Sequence, residues 1–413
     1  MIVYKFGGAS IKDAQAILKM TEIVQSCNKN LIVVASAMGK TTNRLEKILD
    51  AWYNQQNYKP ELHELIKYHE DIIHDLFEQH APGNLSRMYE ELENKLKQSP
   101  SLDYNYEYDQ IVSFGEIFST RIIAAFFSFT NTVVHYVDIR NIIKTDRNFR
   151  DASVLWNLTQ QFATKTFTFE HHSIYLTQGF IGSSTNNQTT TLGREGSDFS
   201  AAILANCCDA EKLVVWKDVP GIMNADPDWF PKAEKIESLS YAEAIELTYY
   251  GAKVIHPKTI KPLEEKNIPL WVNSFLNPQK EGTLITQQAE NRYTQPVYIK
   301  KQNQVLISIK QRHAGFIADN HVSELFGMMS QLRLTVQLTQ MSASSFTVCI
   351  DENNKTYEFI EQLKNKFEIR YNTNAEIITI RNHTADSIEQ IKKNRQIIIE
   401  QKTRKTAQFV VLA

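Results

Sequence analysis

Five stretches of this chain combine lysine, arginine, aspartate and hydroxyl side chains with glycine in patterns suited to holding an anion. The densest runs from Thr177 to Ala202, TQGFIGSSTNNQTTTLGREGSDFSAA, and contains Gly179, Gly182, Gly193 and Gly196. Glycine is otherwise scarce, 14 in 413 residues, so the cluster needs a physical reason. Backbone that approaches an anion closely, with positive φ available, supplies one. The run SDFSAAILA follows at once, and a helix starting there aims unpaired N–H groups at the same anion. Gln178, Phe180 and Ser197 lie in this stretch too. Arg194 suits a carboxylate, which a guanidinium holds in bidentate geometry. Asp198 has two readings: an N-terminal helix cap, or an orienting partner for a lysine and for metal-bound phosphates.

The other four stretches are shorter. KFGGAS, Lys5 to Ser10, ends an apolar strand with Gly7 and Gly8 and leads into a helix, a phosphate-binding geometry that sets the Lys5 ammonium beside the phosphates. The plain alternative is a tight turn with a solvated lysine. SAMGKTTN follows the next strand and offers the hydroxyls of Ser36, Thr41 and Thr42. It is not a Walker loop, because the first glycine of that pattern falls on Val34; a helix cap is its plain reading. SFGE, Ser113 to Glu116, puts a glycine in a helical pattern at a cost of about 1 kcal/mol relative to alanine, which points to a close approach. Glu116 there suits a ligand ammonium, or is a surface glutamate. Last, VWKDVPGIMNADPDWF and YYGAKVIHPKTI place lysines at the predicted carboxyl ends of strands, where open α/β sheets bind ligands. Lys253 faces nucleotide phosphates in this reading, and Asp226 a ribose hydroxyl.

These motifs need a scaffold. Ile2 to Phe6 and Leu31 to Ala35 are apolar and β-branched, with helix-like Ile11 to Val24 between them: a βαβ opening, hence a parallel sheet with helices on its faces. Leu62 to Leu96 and Tyr108 to Phe127 read as helices. Thr132 to Val137, Ser173 to Thr177, Lys212 to Trp216 and Pro269 to Val272 read as further strands. All eleven prolines lie at or before Pro296, and only Gly315 and Gly327 follow it. Polar Thr286 to Pro296 therefore reads as a linker. After it the order is strand Val305 to Lys310, helix Ile317 to Ser330, strands Leu332 to Thr339 and Phe346 to Ile350, helix Tyr357 to Lys366 and strand Glu368 to Tyr371: βαββαβ. A second such unit opens at Glu376, with a helix at Ala385 to Lys393 and strands at Gln396 to Glu400 and Gln408 to Leu412, and lacks its last helix and strand.

Composition narrows the function. A length of 413 residues implies more than one domain. A net charge of −2 gives no basis for a nucleic-acid or membrane partner. MIVYKFGG lacks signal-peptide architecture, and the longest apolar run, Ile122 to Phe127, is too short to cross a bilayer. Cys27, Cys207, Cys208 and Cys349 form no CxxC, so neither a disulfide framework nor a resident metal is expected, and the chain reads as cytoplasmic.

In this order, KFGGAS, SFGE, TQGFIGS with TTTLGREGSD, WKDVPGI with ADP, and GAKVIHPKT resemble the aspartate kinases of the amino acid kinase family, over residues 1 to about 285. The resemblance implies a three-layer α/β/α fold with a mainly parallel sheet (1–285), a linker (286–299), a ferredoxin-like ACT unit (300–373) and a truncated second ACT unit (374–413). It implies transfer of the ATP γ-phosphoryl, with Mg²⁺, to the side-chain carboxylate of L-aspartate. That step opens the diaminopimelate route to lysine, threonine and methionine. By motif, Lys5 and Asp198 are the catalytic pair. Ser36, Thr42, Glu116, Phe180, Arg194 and Ser197 form the aspartate pocket. Lys5, Gly7, Gly8, Lys217, Asp218, Met223, Asp226 and Lys253 contact the nucleotide. A homodimer is the default, because ACT units pair. Two departures stand out. Lys217 occupies a position that is usually a small hydroxyl residue, with consequences expected on the adenine side. Gln337 and Ala343 replace the acidic effector positions of lysine-sensitive members, so weak or absent lysine inhibition is expected. Two readings compete: a sister kinase for glutamate or N-acetylglutamate, and a catalytically silent amino-acid sensor.

Overall fold

The computed structural model describes the chain apart from residues 79, 84, 172, 253–254, 288–292, 313–314, 394 and 413. It divides into two compact units. The first comprises Met1–Ile222, Lys235–Ile245 and Val254–Arg292, the second Met223–Glu234, Glu246–Lys253 and Tyr293–Ala413.

The first unit is built on an eight-stranded sheet in the order His135–Tyr136, Ile174–Gln178, Leu31–Ala35, Ile2–Phe6, Lys212–Lys217, Leu270–Ser274, Thr283–Thr286, Ser238–Ser240. Every pairing is parallel except Leu270–Ser274 with Thr283–Thr286. Leu31–Ala35 is buried at every position, as a parallel strand covered on both faces must be. Helices Ala14–Gln25, Phe114–Phe129 and Gly196–Cys207 bury apolar side chains in this unit. Asp13 caps the first of them, its carboxylate accepting from the Ala16 N–H at 2.9 Å. A small second sheet joins Lys144–Thr145, Ile181–Ser184 and Thr189–Thr191.

Two expected helices differ. Leu62 to Leu96 is not one helix but Lys59–Phe77 and Glu90–Leu96, since Pro82 and Gly83 between them disfavour continuation. Tyr108 to Phe127 becomes Tyr104–Val112 and Phe114–Phe129, broken at Ser113. The whole stretch Tyr104–Phe129 is long and apolar enough to cross a membrane, yet 78% of its apolar window is buried inside the protein. It is a core element of this unit.

The second unit carries a six-stranded antiparallel sheet, in the order Val336–Met341, Ser345–Asp351, Val297–Gln311, Phe367–Arg381, Thr406–Leu412, Ile397–Lys402. Its two central strands are 15 residues each and serve two halves. Gln304 to Gln311 completes a βαββαβ half with helices Asp319–Gln331 and Asn354–Lys364. Val297 to Lys301 pairs with Ile377 to Arg381 of the other half. The strand that this half lacks in sequence order is thus supplied by Val297 to Lys301, of which 297–299 belong to the expected linker and 300–301 to the expected first ACT unit. A segment from earlier in the chain, 223–234, which forms no helix, covers this half as well. Ala225, Trp229, Phe230 and Ala233 pack on Tyr298, Ile378, Ile380 and Phe409, which explains why 223–234 belongs to this unit.

Candidate active site

Four adjacent parallel strands end on one side of the first sheet. Lys5 and Phe6, Ala35, Gln178 and Lys217 occupy those carboxyl ends, and the turns after them line a cavity of about 600 Å³. Open α/β sheets present ligand sites there, and the size suits a small-molecule ligand.

Lys5 Nζ lies 2.5 Å from Asp198 Oδ1, and Lys217 Nζ lies 3.8 Å from Oδ2. Asp198 is 3% exposed. Burial alone would raise its carboxyl; the Lys5 and Lys217 charges and the Lys5 hydrogen bond outweigh that and hold it below the usual carboxylate range. Asp198 is no cap. The helix Gly196–Cys207 has Glu195 at its N-cap, and Asp198 is the third residue of its first turn. Lys217 points its ammonium at this carboxylate, where sequence placed its effect near adenine.

Glu116 is 3% exposed. Its Oε1 accepts from the Ala37 N–H at 3.2 Å, and Oε2 has no hydrogen-bond partner among the described residues. Burial pushes its carboxyl up to about 8, against the lowering by the Ala37 N–H and by Lys5. The close approach expected at Gly115 is to protein: a Cβ there would stand 2.9 Å from Ala37 Cβ. That contact presses the helix onto the Ser36–Ala37 loop and sets Glu116 in place. Gly8 acts similarly, since a Cβ would meet the Ala37 carbonyl oxygen at 2.7 Å, so the Gly7–Gly8 turn and the Ser36–Gly39 loop share one wall.

The glycines of the densest motif divide by role. Gly193 and Gly196 line the cavity. Gly182 does not: it lies in the strand Ile181–Ser184, where a Cβ would meet the Ile143 carbonyl oxygen at 2.8 Å, so strand packing, not an anion, requires it. Around the cavity Gly39, Arg150, Phe180, Gly193 and Glu195 all have left-handed backbone. Such conformations in residues other than glycine concentrate at functional sites.

The cavity therefore brings together Lys5, Gly7, Gly8, Ser36, Thr42, Glu116, Phe180, Arg194, Ser197, Asp198, Lys217 and Asp218. It does not include Met223 or Asp226, which fall in the second unit; Asp226 Oδ1 accepts from the Asp228 N–H at 3.0 Å in a local turn. Lys253 lies outside the described residues. Sequence reasoning missed Tyr108, Arg150, Glu195 and Trp216 on the lining. The one signal for Arg150 is the polar turn TDRNFRDA, which carries no motif. Among the described residues, no group of three or more histidine, cysteine or acidic side chains is placed to hold a metal ion.

Two cations on one buried carboxylate, glycine turns at strand ends and a second, half-satisfied carboxylate define a site for bringing a phosphorylated ligand to a small charged molecule on an α/β scaffold. The chain belongs to the amino acid kinase family, whose family model matches residues 1–274. It is 31% identical over 373 residues to lysine-sensitive aspartokinase 3 of Escherichia coli, covering 86% of this chain and 79% of that one. It is 29% identical over 384 residues to the chloroplastic bifunctional aspartokinase/homoserine dehydrogenase 2 of Arabidopsis thaliana, covering 88% of this chain but 42% of that one. The crystal structure of E. coli aspartokinase III in complex with lysine and aspartate superposes with a TM-score of 0.83 at 24% identity, over 100% of this chain and 96% of that one. The shared fold is the three-layer α/β architecture with an antiparallel C-terminal sheet.

Proposed function

We propose that this chain is an aspartate kinase, transferring the γ-phosphoryl of Mg-ATP to the side-chain carboxylate of L-aspartate to give 4-phospho-L-aspartate and ADP. The observation that carries the reading is the pair of buried carboxylates with different surroundings: Asp198 ion-paired to Lys5 and Lys217, Glu116 left with an oxygen that has no hydrogen-bond partner among the described residues. The acceptor is itself a carboxylate, ionised at neutral pH, so no general base is needed. The difficulty is repulsion between an anion and a polyanionic nucleotide. Lys5, Lys217 and the N–H groups of the Gly7–Gly8 turn offset it on the phosphate side. The free oxygen of Glu116 suits the α-ammonium of aspartate, Arg194 its α-carboxylate, and Ser36, Thr42, Phe180 and Ser197 the rest of its surface. Mg²⁺ arrives with the nucleotide as part of the substrate. Asp218 joins Lys217 on the nucleotide side; the nucleotide contact of Met223 rests on the resemblance alone, and those of Asp226 and Lys253 on the resemblance and their strand-end motifs. The homodimer rests on the resemblance, the cytoplasmic location on the sequence reading of the N-terminus and cysteines, and the ACT assignment of the C-terminal sheet on the resemblance together with its βαββαβ order.

The test is direct. Purified protein given L-aspartate and Mg-ATP is expected to release ADP and, with hydroxylamine present, to form aspartyl hydroxamate. Folded protein that shows no aspartate-dependent ADP release overturns the reading. Glutamate and N-acetylglutamate in the same panel separate the sister kinases, and amino-acid binding without turnover identifies a sensor. Added lysine is expected to change the rate little. The Gln337 side-chain oxygen already accepts from Lys301 Nζ at 2.6 Å, and neither Gln337 nor Ala343 offers a lysine ligand a negative charge.

A further inference from the structure

Arg150 lines the cavity but belongs to no motif. Its backbone is left-handed, φ 72°, a conformation that glycine takes freely and other L-residues rarely adopt. Something must hold it there, and the structure shows what does. The Arg150 N–H donates to Asp109 Oδ1 at 3.2 Å and Oδ2 at 3.1 Å. Asp109 is fully buried and also accepts from the Thr191 N–H at 2.9 Å and the Thr191 hydroxyl at 2.7 Å. One carboxylate thus ties the turn bearing Arg150 to the strand that leads into Gly193 and Arg194. The turn is secured again by the Ala152 N–H to the Thr191 carbonyl at 3.0 Å and by the ion pair of Asp151 with Lys258.

The side chain has a partner as well. The guanidinium lies 4.3 Å from the centre of the Tyr108 ring, and the Tyr108 hydroxyl is fixed by donating to Glu46 Oε1 at 2.7 Å. A guanidinium held against an aromatic ring retains N–H groups for a planar anion. The Arg150 carbonyl oxygen lies 3.3 Å from where a Cβ of Gly193 would be, so the turn bearing Arg150 passes beside the residue that precedes Arg194. A carboxylate has enough lone pairs to accept from both. We propose that Arg150 is a second carboxylate-binding residue of the acceptor pocket, acting beside Arg194 on the α-carboxylate of the amino-acid substrate, with Asp109 as its positioning residue. This rests on the kinase reading above.

Steady-state kinetics on the full chain tests it. Arg150→Ala, a change at an exposed position, is expected to raise KM for aspartate roughly tenfold, the size of one charge-assisted hydrogen bond, with kcat and KM for ATP within about twofold of wild type. Arg150→Lys is expected to recover part of the loss. 3-Aminopropanoate keeps the reacting carboxylate and lacks the α-carboxylate. Its inhibition constant is expected to be the same in wild type and Arg150→Ala, a selectivity that a merely structural turn residue would not produce. An unchanged KM for aspartate, or a rise in KM for ATP of the same size, overturns the assignment while leaving the kinase reading intact. A wild type without aspartate-dependent turnover overturns both.

Discussion

The two compact units bury polar side chains in opposite ways. In the second, the buried polar side chains among the described residues are neutral: Asn224, Gln304, Thr356, Thr379, Ser387 and Thr406. In the first, Lys5, Glu107, Asp109, Glu116 and Asp198 are buried as well. Desolvating an ionisable side chain costs several kcal/mol unless partners make it good. Most of these find partners within the fold: Glu107 meets Lys95 at 2.6 Å, Asp109 takes its bonds from Arg150 and Thr191, and Asp198 has its two lysines. Glu116 stands apart: among the described residues its Oε2 has no hydrogen-bond partner, whereas Glu107 and Asp198 are each met by a lysine. A neutral buried network specifies a shape. A buried ionisable group with unfinished bonding specifies a ligand. By that contrast the second unit is organised as a packed sheet and the first around chemistry.

The largest expected effect is at the centre of the charged cluster. Lys5→Met removes the cation closest to Asp198 and leaves that carboxylate with Lys217 alone. We expect kcat to fall by about 10³-fold or more, the scale seen when a preorganised transition-state donor is removed. Circular dichroism and ADP binding establish that the variant is folded and competent to bind. A loss below tenfold in a folded variant would break the contrast, because the cluster would then be a structural ion pair.

How much of this was legible in sequence follows from how local each feature is. Lys5 with its glycine turn, Glu116 and the Arg194–Asp198 run sit in strand–turn–helix patterns that a single stretch encodes. Their convergence follows from the parallel order of the strands. Arg150 and Tyr108 were invisible because the contact that matters, to Asp109, joins residues 41 positions apart. The two long strands of the second unit read as short ones, since polar Lys300 to Gln304 and Arg370 to Asn374 interrupt the apolar pattern where one half passes into the other. The allegiance of Met223–Glu234 is likewise non-local. Trp229 and Phe230 look like loop aromatics in sequence and become clear only against the sheet they cover.

A middle-sized effect sharpens the other side of the comparison. Ile307 is fully buried in the apolar cluster with Val305, Phe346, Phe359 and Leu363. Ile307→Ala is expected to destabilise the second unit by about 3 kcal/mol through lost burial and the cavity left behind. Thermal melts would show this. With the variant still folded at the assay temperature, KM for aspartate should stay within about twofold of wild type, because the change touches none of the buried charges. A selective loss of aspartate affinity would mean that the packed sheet, too, carries part of the site.

The smallest effect is the most diagnostic, because it concerns the unfinished bond itself. Burial holds the Glu116 carboxyl up to about 8, opposed by the Ala37 N–H and the nearby Lys5 charge. The direction follows from that raised value: below it the empty site carries a neutral acid, above it a carboxylate. An ammonium ligand needs the carboxylate, so at lower pH aspartate must displace a proton before it binds. Calorimetric affinity for aspartate is therefore expected to rise up to tenfold from about pH 7 to about pH 8.5 and then flatten. In Glu116→Gln, affinity should be weak throughout and lose this dependence, since the amide cannot ionise. A wild-type affinity that is flat across the range would mean that Glu116 is already charged in the empty site, and that something other than the substrate completes its bonding.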